Sequence, residues 1–357
     1  MAAKENLGAE RKRKIAVTGN QGYIGSVLTR LLIEAGYKVV GIDAGIFEDV
    51  QMVPRLPATV QIKKDIRDIE KDDLAGCEAV IHLAGLSNDP LGELDQQLTY
   101  DINFKAGVRL AEIAKKAKIE RFLFSSSCST YGASGPKVVT EKDKVNPRTA
   151  YAKSKVMMEK ELVRMASHGF VPVILRNATV FGFSPRLRLD LVVNDLTANG
   201  YLNGRIEVLS DGTPWRPNLH VMDCAKAFMF LMEAPAEQVC REAFNIGQAA
   251  NNRQVRDIAA KVQQVIAGSK IIIKSESTRD ERTYRVSFDK IEQAGWQAKW
   301  SINQGVQDLV QIFRKRGFDN EDSKFNGYYT LRRYRAMMQA GLMSNTLRMI
   351  DDIKVKV

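Results

Sequence analysis

Three glycines at positions 19, 22 and 25 fall in the stretch VTGNQGYIGS (17–26), between a short apolar β-branched run and a longer apolar helical pattern. A chain that turns from strand to helix on glycines spaced in threes brings its backbone close to something. Gly19 makes the tight turn off the strand, Gly22 lets the backbone approach a diphosphate, and Gly25 lets the helix pack close to the strand. The helix start then offers N–H groups and a positive dipole end to phosphate oxygens. The contact set predicted here is Gly19, Gln21, Gly22, Tyr23, Ile24 and Gly25. The spacing G-x-x-G-x-x-G differs from the simpler G-x-G-x-x-G. A glycine turn without a ligand would look similar, so the flanking strand and helix carry the reading.

The first half of the chain continues that alternation. Strands are expected at KIAVTG (14–19), YKVVGID (37–43), ATVQIKKDI (58–66), AVIHLAG (79–85), ERFLFSSS (120–127) and VPVILRN (171–177). Helices are expected after Tyr23, near 102–117 and over 150–168. Nearly all-apolar strands alternating with such helices imply an α/β fold, a doubly wound parallel sheet covered on both faces. The rhythm loosens after about 182, where a smaller substrate-binding lobe is expected. Its helices are placed at 252–267 and 302–315, and a strand at KIIIKS (270–275). The division read from this pattern is a dinucleotide-binding domain over 1–182, to which 218–250 returns. The smaller lobe takes 183–217 and 251–314, and a helical extension 315–357. A stripe of Tyr, Leu and Met in that extension suits packing on the body or on a sister subunit, with a lid over the substrate site as the alternative.

The formal net charge of +11 raises the question of nucleic acid. The basic residues are spread thinly apart from RKRK and LRRYR (331–335), and no nucleic-acid motif accompanies them, so the expectation is a solvated basic surface that also suits a phosphate-rich small molecule. Four scattered cysteines (77, 128, 224, 240) read as reduced thiols. Three histidines make a histidine-built metal site unexpected, and none is predicted. No apolar run reaches membrane-spanning length and the first residues lack a signal-peptide core, so a cytoplasmic protein is expected.

Asp43 closes the second strand. A carboxylate there accepts hydrogen bonds from both hydroxyls of an adenosine ribose and repels a 2′-phosphate, which favours NAD over NADP. Asp65 and Ile66, after the third strand, are placed to hold the adenine. Tyr151 and Lys155 stand four apart on the helix that opens TAYAKSK, and so share a face. An adjacent ammonium and a cationic nicotinamide both favour the phenolate of such a tyrosine. That phenolate can take a proton from a sugar hydroxyl while a serine of SSSCSTYG (125–132) holds the same oxygen in line.

Taken in order, TGNQGYIG, GID, DIRD, HLAG, FSSSCSTYG, YAKSK, LRNATVFG and RPNLHVMD resemble the extended short-chain dehydrogenase/reductase family, in its nucleotide-sugar epimerase and dehydratase branch. The resemblance spans about residues 13–315 and implies a Rossmann-type doubly wound sheet. It implies Ser127, Tyr151 and Lys155 as the catalytic set. To the cofactor contacts it adds Leu83, Ala84, Gly85, Asn103 and Ser125, beside Tyr151 and Lys155. Ser127, Ser129, Asn177 and Arg216 are implied as substrate contacts, with Arg279 or Arg282 on the diphosphate. Pairing into a homodimer through the helices near 102–117 and 150–168 is likewise implied.

The sequence also departs from the family. The 4,6-dehydratases of this branch carry Asp-Glu after the catalytic Ser or Thr; here Cys128 and Ser129 stand there, which speaks against that elimination. An asparagine of the family is replaced by Thr179. Cys128 reads as a buried filler, and His82 and His220 as structural. The expected activity is an NAD-dependent epimerase of a nucleotide-diphosphate sugar, through a 4-keto intermediate. A nucleotide 4-keto-sugar reductase or dehydrogenase is the enzymatic alternative, and a dinucleotide-sensing scaffold the non-enzymatic one.

Overall fold

Ile15 and Val17 point to one face of their strand and Ala16 to the other, and all three are fully buried. That two-sided burial recurs in strand after strand and sets the architecture. The computed structural model describes residues 13–87, 95–135, 137–274, 283–321 and 324–350. Its main sheet holds β1 (Lys14–Thr18), β2 (Lys38–Asp43), β3 (Val60–Lys63), β4 (Ala79–His82) and β5 (Arg121–Ser127). A short β6 (Val138–Val139) lies outside this sheet, and β7 (Val171–Asn177) and later β11 (Ala243–Ile246) complete it. The order is β11-β7-β5-β4-β1-β2-β3, every pair parallel.

Helix α1 (Tyr23–Glu34) covers one face through Val27, Leu28 and Leu32. On the other face lie α2 (Gln96–Tyr100), α3 (Ala106–Lys116) and α4 (Ala150–Met165), which bury Leu98, Leu110, Ala114, Met158 and Leu162. The expected helix near 102–117 starts earlier, at Gln96, because Asp95 caps it by accepting from the Leu98 N–H at 2.9 Å. A π turn over Asp101–Lys105 joins α2 to α3.

After β8 (Thr179–Phe181), α5 (Val192–Asn203), β9 (Arg205–Val208) and β10 (Trp215–His220) begin a second, smaller core. The chain returns to the first sheet through α6 (Val221–Glu233), α7 (Ala236–Val239) and β11, then leaves again through β12 (Asn252–Gln254) and α8 (Val255–Val265). Strand β13 (Lys270–Ile273) pairs with β9, and β14 (Arg285–Val286) with β6. Helices α9 (Asp289–Gln293) and α10 (Ile302–Arg316) follow. Phe181, Val193, Leu196, Ile206, Ile258, Val262, Ile302 and Val306 make up this second core.

The extension folds back on the same chain. Its helix α11 (Thr330–Gln339) buries Tyr334 and Met337 beside Ile42, Ile66 and Ile69 of the β2 and β3 side, and Met343 and Leu347 join them. Arg67 donates to the Thr346 carbonyl at 2.8 Å, Arg333 to the Ile46 carbonyl at 3.1 Å, and Arg348 pairs with Asp68. No helix among the described residues is long and apolar enough to cross a membrane.

Candidate active site

In this strand order the sequence reverses between β1 and β4, so the crevice at their carboxyl ends is the expected binding place. The glycine turn after β1 and the loop after β4 meet there. Gly19 has φ +72°, and a Cβ on it would lie 2.8 Å from the Ala84 nitrogen. A Cβ on Gly25 would lie 2.0 Å from the Gly19 carbonyl oxygen, so only glycine lets α1 start this close to β1. No side chain caps α1 at Gly22, which leaves the leading N–H groups at Tyr23 and Ile24 beside the crevice.

The Asp43 carboxylate accepts from the Gln21 N–H at 3.0 Å and the Gly45 N–H at 2.9 Å, which ties the glycine turn to β2. Burial raises the Asp43 pKa, and those two N–H groups with the Arg55 charge work against the rise. Asp65 is gripped by the Arg67 guanidinium at 2.6 and 2.8 Å. A glycine cradle that no Cβ fits, uncapped N–H groups and a carboxylate on the next strand have the chemistry that the phosphates and ribose of a dinucleotide need.

The end of β5 and the start of α4 form the chemical wall. The Thr149 hydroxyl caps α4, accepting from the Ala152 N–H at 3.2 Å, and this sets Tyr151 in the first turn. One turn on, Lys155 is buried, and its Nζ donates to the Ser125 carbonyl at 2.7 Å. That Nζ lies 5.6 Å from the centre of the Tyr151 ring and 4.8 Å from that of Phe124. Burial pushes the Lys155 ammonium down to about 8, and Glu159 opposes the shift. The Ser127 hydroxyl accepts from the Ser129 N–H at 3.1 Å. Asn177 donates to the Ser125 hydroxyl at 3.1 Å from β7.

Behind this wall, Glu159 accepts from Arg176 at 2.7, 3.1 and 3.3 Å and from the Ser126 hydroxyl at 2.5 Å. Arg176 also donates to the Tyr131 hydroxyl at 3.0 Å, and Tyr131 to Asn245 at 2.8 Å. Cys128 is turned into the core with its thiol on the Arg176 carbonyl at 3.1 Å. His82 is buried against Thr18 at 2.9 Å, and His220 caps α6 and stacks on Trp300 at 4.2 Å.

A cavity of about 1230 Å³ runs through both halves. Its lining includes Gly19, Gly22–Gly25, Asp43, Asp65, Ile66, Leu83–Gly85, Ser125, Ser127, Ser129, Tyr151, Lys155, Asn177 and Arg216. Two residues expected at the cofactor do not line it. Gln21 gives its backbone N–H to Asp43. Asn103 sits in the π turn and clasps the backbone of Leu86, accepting from its N–H at 2.7 Å and donating to its carbonyl at 3.0 Å. Its amide is spent on both backbone groups of one residue, which fixes the loop after β4. Arg279 and Arg282 lie outside the described residues.

The structure adds lining residues that motif reading missed: Arg186, Arg188 and Asp190 before α5, Asp195 on it, and Tyr329, Thr330, Tyr334 and Arg335 of the extension. Burial pushes Asp195 up to about 6, with the Tyr329 hydroxyl 3.3 Å away. The signal for the first group was present in PRLRLD (185–190). Charged and apolar residues alternate there, and Leu187 and Leu189 are fully buried on the opposite side.

The profile of the NAD-dependent epimerase/dehydratase family matches residues 15–247. The chain is 29% identical over 311 residues to a UDP-glucose 4-epimerase of Lacticaseibacillus casei, covering 78% of this chain and 93% of that protein. It is 27% identical over 330 residues to UDP-glucuronic acid decarboxylase 1 of Arabidopsis thaliana, covering 89% and 74%. Among solved structures it is similar to MoeE5 in complex with UDP-glucuronic acid and NAD, with a TM-score of 0.74, 25% identity and coverage of 85% and 99%. A glycine cradle at the reversal of a parallel sheet, with a tyrosine and lysine one helical turn apart facing it, therefore has a family: the chain belongs to the NAD-dependent epimerases and dehydratases, in the nucleotide-sugar branch of the extended short-chain dehydrogenase/reductases, with NAD as its cofactor.

Proposed function

We propose that the protein is an epimerase of a nucleotide-diphosphate sugar, working through a 4-keto sugar. One observation carries the reading. Ser127, Tyr151 and Lys155 line one cavity, and the two positions after Ser127 hold a core-facing cysteine and a serine, with no carboxylate to drive loss of water. The relatives named UDP-glucose 4-epimerase support it, and make UDP-sugars the first candidates.

In this reading Tyr151 removes the proton from the sugar O4, and Lys155 favours the phenolate by its charge. The Ser127 hydroxyl aligns O4 with the phenol. Bound NAD supplies a hydride acceptor and donor at the sugar carbon. The keto sugar turns over between the lobes, held by its diphosphate, for which Arg216 in β10 is the described candidate. Tyr151 then returns the proton to the inverted centre. The residues 218–250 belong with the cofactor domain in this reading, and 183–217 and 251–314 form the sugar lobe. Met157 and Val163, exposed on α4, suit the homodimer pairing proposed through this helix.

The test is incubation of the purified protein with a panel of nucleotide sugars, UDP-hexoses first, in heavy water, with products read by NMR. Inversion at C4 without deuterium uptake is expected. Deuterium at C3 or C5, consumption of added NADH, or carbon dioxide release from UDP-glucuronic acid would each replace this reading with another reaction.

A further inference from the structure

Arg186 is the largest side chain in the described residues with almost no exposure, at 1%. It has no carboxylate within 4.0 Å among the described residues, although its neighbour Arg188 is held by Asp190 at 2.9 and 3.1 Å. Its hydrogen-bond partners are neutral: the Leu187 carbonyl at 3.1 Å and the Thr330 hydroxyl at 3.2 Å. The guanidinium lies over the Phe47 ring at 3.8 Å. A buried cation whose hydrogen-bond partners are all neutral is costly, and an anion bound beside it would offset that cost.

Its surroundings say which anion. The segment that carries it is bonded to the first turn of α1. The Ser184 hydroxyl donates to the Tyr23 carbonyl at 2.7 Å and meets the Ser26 hydroxyl at 2.9 Å, while Tyr23 donates to the Gly182 carbonyl at 2.6 Å. Phe47 belongs to the loop after β2, beyond the ribose carboxylate Asp43. The charged and titratable groups that act on Arg186 are Arg188, Asp190, Tyr334 and Tyr23, and burial dominates, lowering its pKa. Arg186 thus lines the cavity near the phosphate end of α1, on the cofactor side, whereas Arg216 lines it from β10.

We propose that Arg186 binds the diphosphate of the dinucleotide cofactor, opposite the N–H groups of α1, with helix α11 of the extension as its support. The extension then serves cofactor retention. Thr330 braces the guanidinium, and Tyr334 and Leu347 wall the adenosine side next to Ile66. This inference rests on the family's cofactor and is independent of which sugar reaction occurs.

The experiment measures binding of NAD, ADP, adenosine and UDP by calorimetry to wild type, Arg186→Gln and Thr330→Val. Arg186→Gln is expected to weaken NAD and ADP roughly 10- to 100-fold, the worth of a charge-assisted hydrogen bond, and to leave adenosine unchanged. Thr330→Val is expected to give a smaller loss with the same phosphate dependence. Equal loss for adenosine would make Arg186 a packing residue and overturn the proposal. So would unchanged ADP affinity, or a loss confined to UDP, which would assign the cation to the sugar nucleotide. If Arg186→Gln does not fold, Arg186→Lys carries the same comparison: it keeps the charge and loses the fork. A phosphate-dependent loss supports the proposal, and an adenosine-equal or absent one rejects it.

Discussion

Glu159→Gln tests whether the ion pair behind the active site both holds the fold and tunes the chemistry. The Glu159 and Arg176 side chains are only 7% and 9% exposed. The carboxylate accepts three contacts from the guanidinium and a fourth from Ser126. A neutral amide of the same shape leaves the Arg176 charge buried and turns an NH2 towards one of its donors. Breaking a buried pair in this way costs about 3–5 kcal/mol. Arg176→Met with Glu159→Leu removes both charges, and Tyr131 keeps its bond to Asn245, so the double variant is expected to lose less than the single one. The assay is guanidinium unfolding followed by tryptophan fluorescence and circular dichroism, with coincidence of the two checked first. The same substitution removes the charge that opposes the depression of Lys155. Lys155 is then expected to lose its proton below the wild-type value of about 8, which moves the alkaline limb of kcat/KM to lower pH. A loss under about 1 kcal/mol, or a single variant more stable than the double, refutes the energetic argument; an unmoved limb refutes the link to Lys155.

Tyr151→Phe is expected to lower turnover by about 10²- to 10⁴-fold with bound NAD unchanged, checked by rapid quench and by nucleotide content after denaturation; near-wild-type turnover would remove Tyr151 from the mechanism. In Gly25→Ala the new Cβ, 2.0 Å from the Gly19 oxygen, forces α1 away from β1, so the purified protein is expected to carry little NAD; a full complement of NAD contradicts the cradle. Burial pushes His82 down to about 3, below its ordinary value, so the unfolded chain binds the extra proton and stability falls as pH drops through about 6.5. From pH 7 to pH 5 this one residue contributes roughly 2 kcal/mol of lost stability, which His82→Gln is expected to abolish in paired unfolding curves. Parallel curves for wild type and variant would show that His82 does not titrate this way.

The cofactor half was the legible half because its signals are local. A strand-to-helix turn needs glycine within a few residues of itself, and Tyr151 and Lys155 declare their shared face by spacing alone. The extra turns at Gln96 were missed because they begin outside the apolar period. Asn103 was read by its place in a motif, and only the folded chain shows its amide closing on Leu86. Strand β11, four residues long, carries too little pattern to be read alone, yet it completes the sheet beside β7.

From the sequence alone came the parallel α/β plan, the glycine turn between strand and helix, the expectation of NAD as cofactor and the tyrosine–lysine pair, since each is written in residues that are neighbours along the chain. Only tertiary structure decided the strand order that opens the crevice between β1 and β4, the burial of Arg186 without a facing carboxylate, and the docking of α11 beside Ile42 and Ile66. These depend on which distant surfaces meet. Periodicity shows that a face is apolar and does not name the partner it will bury against.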